Sequence, residues 1–123
     1  MHLNIDPSMP IASQIEFEDF LQVDIRVGEI LDVTDFPEAR NPSYKLRIDF
    51  GEGVGIKNSS AQITHHYEKN DLLGKRVLAV VNFPKKQIGK FMSEVLVLGL
   101  SDSDHKIVLM QPDKDVPNGA RLI

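Results

Sequence analysis

The segment Tyr44-Lys-Leu-Arg-Ile-Asp-Phe50 places Tyr44, Leu46, Ile48 and Phe50 on one side of an extended chain and Lys45, Arg47 and Asp49 on the other. Successive side chains of a strand point to opposite faces, so this alternation predicts a strand with one buried face and one wet, mostly basic face. A strand of that kind cannot stand alone. It requires neighbours that pair with it and cover the same core, and the rest of the chain must supply them.

It supplies them at short spacing. Val23, Ile25 and Val27 alternate with Asp24 and Arg26, Gly28 predicts a bulge or bend, and Ile30, Leu31 and Val33 continue the run. Gly51-Glu-Gly53 predicts a turn, Val54 to Lys57 a short strand, and Val77 to Val81 a buried one. Val95 to Leu100 and Ile107 to Met110 complete the set. Ala61 to Lys69 predicts one or two helical turns, with Ile63 and Tyr67 facing inward. Ser13 and Glu16 have capping-box spacing ahead of Phe17, Phe20 and Leu21, which predicts a short helix sealing one end of the core. Residues 1–12, with Pro7 and Pro10, read as a flexible or dimer-docking arm.

No βαβ unit recurs, which disfavours a parallel sheet. The expectation is a mainly β, single-domain chain over 1–123. Its architecture is a five-stranded OB-fold barrel with a short helix between the third and fourth strands, an N-terminal helix and a C-terminal extension. A β-sandwich is the second choice, made less attractive by the helical segment after the third strand.

The chain lacks cysteine, which excludes disulfides and thiol chemistry. It has no apolar run of about 18 residues, so membrane insertion is not expected. The N-terminus lacks the basic region and apolar stretch of a signal peptide, which predicts a cytoplasmic protein. Net charge is −4, but it is unevenly distributed. Residues 1–35 carry one base against eight acids, 36–93 ten bases against five acids, and 94–123 three bases against five acids. A local anionic partner therefore fits better than general polyanion binding.

The residues offer little for catalysis. His65 and His66 are adjacent, so their side chains diverge, and neither has a partner at metal-ligand spacing. Ser59 and Ser60 lack a nucleophile elbow and suit helix capping or ligand hydrogen bonding instead. Gly51, Gly53 and Gly55 are too closely spaced for a dinucleotide fingerprint. The expectation is a non-enzymatic binding protein without cofactor or metal.

The binding surface is expected around Val81 to Gly99. Asn82-Phe83-Pro84 ends a strand. Lys85, Lys86 and Lys90 then alternate with Ile88, Phe91 and Met92. Lys45, Arg47, Lys85, Lys86 and Lys90 suit phosphates or an acidic peptide. Phe83, Phe91 and Met92 suit stacking on bases or an apolar peptide pocket, and Phe91 equally suits the core or a dimer contact. Asn58, Ser59, Ser60, Gln62, Asn82, Gln87 and Ser93 complete the candidate set.

Two stretches carry a family resemblance. Phe20-Leu-Gln-Val-Asp-Ile-Arg-Val-Gly28 resembles the opening strand of the tRNA-binding domain appended to some methionyl- and phenylalanyl-tRNA synthetases. Asn82-Phe-Pro-Lys-Lys-Gln-Ile-Gly89 and Met92-Ser-Glu-Val-Leu96 resemble its second signature. Asp35-Phe-Pro-Glu-Ala-Arg40 and Lys57-Asn-Ser-Ser-Ala-Gln-Ile63 are similar to the CsaA-type group of small bacterial secretion chaperones. The resemblance implies an OB-fold homodimer that holds unfolded precursor proteins for export, with the secretion ATPase as partner; the wider superfamily implies tRNA binding as the alternative. tRNA-binding relatives carry Ser-x-Gly-Met at the second signature. Here Ser93-Glu94 is followed by Val95-Leu96, which changes backbone freedom and surface at that point.

Overall fold

The computed structural model describes residues 6–123. In chain order the elements are α1 (Phe17–Leu21), β1 (Ile25–Asp35), β2 (Tyr44–Asp49), β3 (Ile56–Ala61), α2 (Lys69–Leu72) and β4 (Arg76–Val80), followed by β5 (Lys86–Ile88), β6 (Phe91–Ser93), β7 (Leu96–Val97), β8 (Gly99–Ser101) and β9 (Ile107–Leu109). Five strands form one antiparallel sheet in the order β3-β2-β1-β4-β7. It curls into the nearly closed, five-stranded barrel of an OB fold, with α2 between β3 and β4.

The period of β2 sets the core. Tyr44, Leu46, Ile48 and Phe50 are buried, and they pack with Ile30, Ile63, Leu72, Val77, Ala79, Val95 and Leu109 inside the barrel. Outside it, Ile25, Val27, Leu78 and Val80 form a second cluster under Leu98, Met110, Val116 and Ala120. β4 is thus buried on both faces, which is why its sequence runs apolar without alternation. The C-terminal tail holds this outer layer in place. The Val27 N–H donates to Ala120 O at 2.9 Å, Gly119 N–H to Val27 O at 2.8 Å, and Leu122 N–H to Ile25 O at 2.8 Å. The tail pairs beside the first half of β1, where β2 does not reach.

Gly28 has a different role from the expected bulge or bend. A Cβ there would lie 2.6 Å from Ile48 Cγ2 and 2.7 Å from the Phe50 ring, so the glycine admits the core against β1. The irregularity of β1 falls between Ile30 and Asp32 instead, and leaves Leu31 exposed.

Other expectations shift. The cap of α1 is Glu16, paired reciprocally with Asp19, rather than Ser13. The helix does not seal the core: none of its residues is buried, and Phe17 is 65% exposed. Five residues are far fewer than the roughly 12–15 an isolated helix needs. Tertiary bonds hold it, with Arg121 Nη2 donating to Leu21 O at 2.7 Å. Of the expected arm, residues 6–12 are exposed and residues 1–5 lie outside the described residues.

The helix expected over Ala61 to Lys69 is displaced to Lys69–Leu72, capped by Glu68 with Asp71. Ile63 and Tyr67 still face inward, from irregular backbone on either side of a turn at residues 64–66. The third strand runs Ile56–Ala61, so it contains the serines that were expected to follow it. The run Val95 to Leu100 divides into β7, in the barrel sheet, and β8, which pairs with β9. The basic loop after Pro84 is itself a hairpin, β5 with β6.

Candidate functional site

β3 pairs with β2 along one edge. Along its other edge, residues 93–95 close the barrel through side chains. Asn58 N–H donates to Glu94 Oε1 at 2.9 Å, and Glu94 N–H donates back to Asn58 O at 2.8 Å. Ser60 N–H donates to Ser93 Oγ at 3.1 Å, and Ser59 Oγ donates to Val95 O at 3.1 Å.

Beyond Ser60 this seam opens into a cleft of about 660 Å³. Ser60 and Gln62 line it from the β3 side, Arg40 and Asn41 from the β1–β2 loop, and Phe83, Lys86, Gln87 and Ile88 from the hairpin and its approach. Ser93 to Leu96 complete the lining. Apolar and polar groups are therefore mixed around a concave surface, as in a ligand cleft.

The hairpin is pre-shaped. Ile88 pairs with Phe91 across a two-residue turn, and Gly89 sits at φ +61° at its first position, as a type II′ turn requires. Phe91 anchors the hairpin to the barrel. Its ring meets buried Phe36 edge-on, with centroids 5.3 Å apart, and Lys45 Nζ lies 4.9 Å and 5.5 Å from the Phe36 and Phe91 centroids.

The candidate residues separate into three groups. Ser60, Gln62, Phe83, Lys86, Gln87 and Ser93 come together around the cleft. Phe83 is 51% exposed there. Lys45, Arg47, Asn58, Lys85, Lys90 and Met92 lie outside its lining. Ser59 and Asn82 are occupied by the fold. Ser59 is fully buried at the seam. Asn82 Oδ1 accepts from Asp24 N–H at 3.0 Å while its Nδ2 donates to Gln22 O at 2.7 Å. This amide joins the two signature stretches, and Asp24 in turn pairs with Arg26 at 2.5 Å and Arg121 at 3.4 Å.

Sequence reasoning left out Arg40, Asn41, Ser43, Ile88 and Leu96 as site residues. Arg40 stands between Pro37 and Pro42 in a loop distant in sequence from the hairpin. That proline-bounded basic residue was the available signal.

Much of the basic surface is neutralised. Lys45 pairs with Glu38 at 4.0 Å, Arg47 with Asp32 at 3.4 Å and Lys69 with Asp35 at 3.0 Å. Glu94 takes both Lys57, at 4.0 Å, and Lys85, at 3.7 Å. Around the cleft and hairpin Arg40, Lys86 and Lys90 have no ion-pair partner within 4.0 Å among the described residues, and elsewhere Lys75, Lys106 and Lys114 have none. No group of three or more potential ligands could hold a metal among the described residues. No helix among them is long and apolar enough to cross a membrane. His66 is engaged by Asp102, at 2.6 Å.

Comparison with known proteins agrees with this architecture. Residues 25–121 match the tRNA binding domain family. The solved structure of the CsaA chaperone protein from Picrophilus torridus is 51% identical, with a TM-score of 0.83, and the match covers 89% of this chain and all of that one. Chaperone CsaA from Bacillus anthracis is 47% identical, with a TM-score of 0.84, over 90% of this chain and all of that one. Methionine–tRNA ligase of Porphyromonas gingivalis is 34% identical over 113 residues, which are 92% of this chain and only 16% of the ligase. The chain thus corresponds to a small part of that enzyme. On fold, family match and identity together, the chain belongs to the tRNA binding domain family and, within it, to the CsaA-type proteins.

Proposed function

We propose that this protein is a non-catalytic chaperone that holds unfolded polypeptide in the cleft beside β3. The observation that carries the reading is the composition of that cleft. Exposed Phe83 stands with Ile88 and Leu96 among hydrogen-bonding groups, and only Arg40 and Lys86 bring cations into it. An unfolded chain offers apolar side chains together with backbone amides, and this lining answers both. The proposed ligand set is the cleft group with Met92, Lys85 and Lys90 at its margin. In the cell the substrates are precursor proteins awaiting export, the secretion ATPase is the partner, and the work is done in the cytoplasm by a homodimer. The CsaA chaperone relatives support the chaperone part of this role.

tRNA binding is the second reading, favoured by the family match. Pairing of Lys45, Arg47 and Lys85 with carboxylates weakens it, since each phosphate contact depends on a cation free to displace counterions. The deciding experiment is a competition: fluorescent unfolded polypeptide bound to the protein, challenged with tRNA. Retention of polypeptide at a tRNA concentration well above that of the protein supports the chaperone. Loss of polypeptide to stoichiometric tRNA, with no suppression of aggregation, reverses the order of the two readings. Sedimentation equilibrium tests the dimer, which should show twice the 13.8 kDa chain mass.

A further inference from the structure

The seam between β3 and residues 93–95 specifies which backbone groups face the cleft. Asn58 and Ser60 send their N–H groups away from β2, to Glu94 and Ser93. Backbone direction alternates along a strand, and continuing that alternation one residue past Ala61, where β3 ends, puts the N–H and C=O of Gln62 on the same edge. There the seam has already opened. Neither backbone group of Gln62 has a hydrogen-bond partner among the described residues, and Gln62 lines the cleft. A second free edge lies on the hairpin. Ile88 and Phe91 flank its two-residue turn and are a hydrogen-bonded pair, which makes Gln87 and Met92 a non-hydrogen-bonded one. The Gln87 N–H and C=O therefore point away from β6, and Gln87 also lines the cleft.

We propose that the cleft takes its polypeptide as an added β-strand, an extended segment that exchanges backbone hydrogen bonds with Gln62 on the open edge of β3. The inference rests on the polypeptide-holding reading above and gives it a binding mode. The chemistry favours this occupant. Gln62 offers one donor and one acceptor side by side, and a peptide unit in extended conformation returns one of each. The phosphate groups of a nucleic acid return acceptors only. Backbone pairing is indifferent to side-chain identity, which suits a site for many unfolded sequences. Charge adds a preference. Glu94 is held by Asn58, Lys57 and Lys85, whereas Arg40 and Lys86 have no carboxylate partner among the described residues. A segment carrying a carboxylate complements that pair.

The test replaces backbone amides by esters, which removes one N–H at a time and leaves the side chains in place. The probe is a capped seven-residue peptide of serine and threonine with one central leucine and one glutamate, titrated into the intact protein. Affinity and amide exchange are both followed by NMR. A strand bound at Gln62 predicts a single sensitive position. Ester replacement at the one amide that donates to the Gln62 C=O lowers affinity by about five- to tenfold, the loss expected for one hydrogen bond. Replacement at its sequence neighbours, whose N–H groups point to the opposite edge, leaves it within about twofold. The Gln62 amide should also become protected from exchange when peptide binds. A peptide that binds with no ester-sensitive amide, and leaves Gln62 exchange unchanged, overturns the added strand but leaves polypeptide holding intact. Failure of both the peptide and a chemically unfolded protein to bind overturns the two together. Protection of Gln62 by a short single-stranded RNA, with none from peptide, also overturns the proposal.

Discussion

Asn58 and Glu94 exchange two hydrogen bonds across the barrel seam, one from backbone to carboxylate at 2.9 Å and one from backbone to backbone at 2.8 Å. A side chain here does the work of a strand. The carboxylate stands where a ladder carbonyl would be, and closes β3 without extending the sheet along it. The ladder can then stop at Ser60, which is what leaves a cleft. Glu94→Ala should therefore destabilise the barrel by about 1–3 kcal/mol, the cost of losing a hydrogen bond to a charged group. Glu94→Gln keeps an amide oxygen for Asn58 and should recover part of that loss. Thermal melts of the two variants check the order.

Asn82 gives a related test of structure against ligand contact. Its amide bonds Asp24 N–H and Gln22 O at once. Asn82→Ala should lower stability by about 1 kcal/mol or more, while the cleft lining keeps its groups. Asn82→Asp retains the acceptor and should cost less than Ala. If Asn82→Ala instead kept wild-type stability and lost polypeptide binding, the residue would belong to the ligand site.

Packing at Gly28 makes a third prediction. Its Cβ position lies 2.6–2.7 Å from Ile48 and Phe50, both fully buried. Gly28→Ala should destabilise by about 1–3 kcal/mol, because a close-packed core admits a methyl group only by displacing its neighbours. A denaturant midpoint within error of wild type would contradict this packing.

These cases show what could be read from the residues and what could not. Tyr44 to Phe50 disclosed its strand because burial on one face writes a period of two into the sequence. The two-sided burial of Val77 to Val80 was equally legible as an apolar run. Ser59 and Asn82 were assigned to ligand because a polar residue near a binding loop looks free until its bonds are known. Ser59 spends its hydroxyl on Val95 O, and Asn82 spends both amide groups on residues 22–24. Arg40 was missed for the converse reason: the fold brings a distant loop to the hairpin. The helix expected over Ala61 to Lys69 shifted because Glu68 and Asp71 supply a reciprocal cap, starting the helix at Lys69.

Asp102 carries the pH dependence. The Lys106 N–H, His66 and the Asp104 N–H all favour its carboxylate, in that order, and hold its pKa at about 2. An unfolded chain would protonate it at about 4. A depressed folded value means the stabilisation is fully present above the unfolded value and is lost as pH falls from about 4 toward 2. The turn between β8 and β9 should therefore loosen over that window, seen as faster amide exchange of Lys106. Asp102→Asn retains an acceptor and should flatten this pH response. An unaltered acid response in Asp102→Asn would assign it to another group.

The last prediction separates polypeptide holding from tRNA binding at the level of side chains. Met92 is 40% exposed on the hairpin but lies outside the cleft lining. Phe83 is inside it. Phe83→Ser removes apolar surface and leaves the charge unchanged. A half-exposed phenylalanine that becomes buried on binding contributes on the order of 1–2 kcal/mol, so polypeptide affinity should fall roughly five- to thirtyfold. Lys86→Ala with Arg40→Ala removes the two unpaired cations of the cleft instead. That pair should weaken tRNA more than polypeptide, with a smaller dependence of tRNA affinity on salt, because each lost phosphate contact lowers the number of counterions released. Raising salt in the wild type should likewise strip tRNA and spare polypeptide, since apolar burial is not screened. The measurements are aggregation suppression and tRNA retention, each at low and high salt, for wild type and both variants. Parallel loss of both activities in Phe83→Ser, with an unchanged melting temperature, would mean that bases stack on the same ring and that one site serves both ligands. Loss of polypeptide alone would place tRNA elsewhere on the barrel.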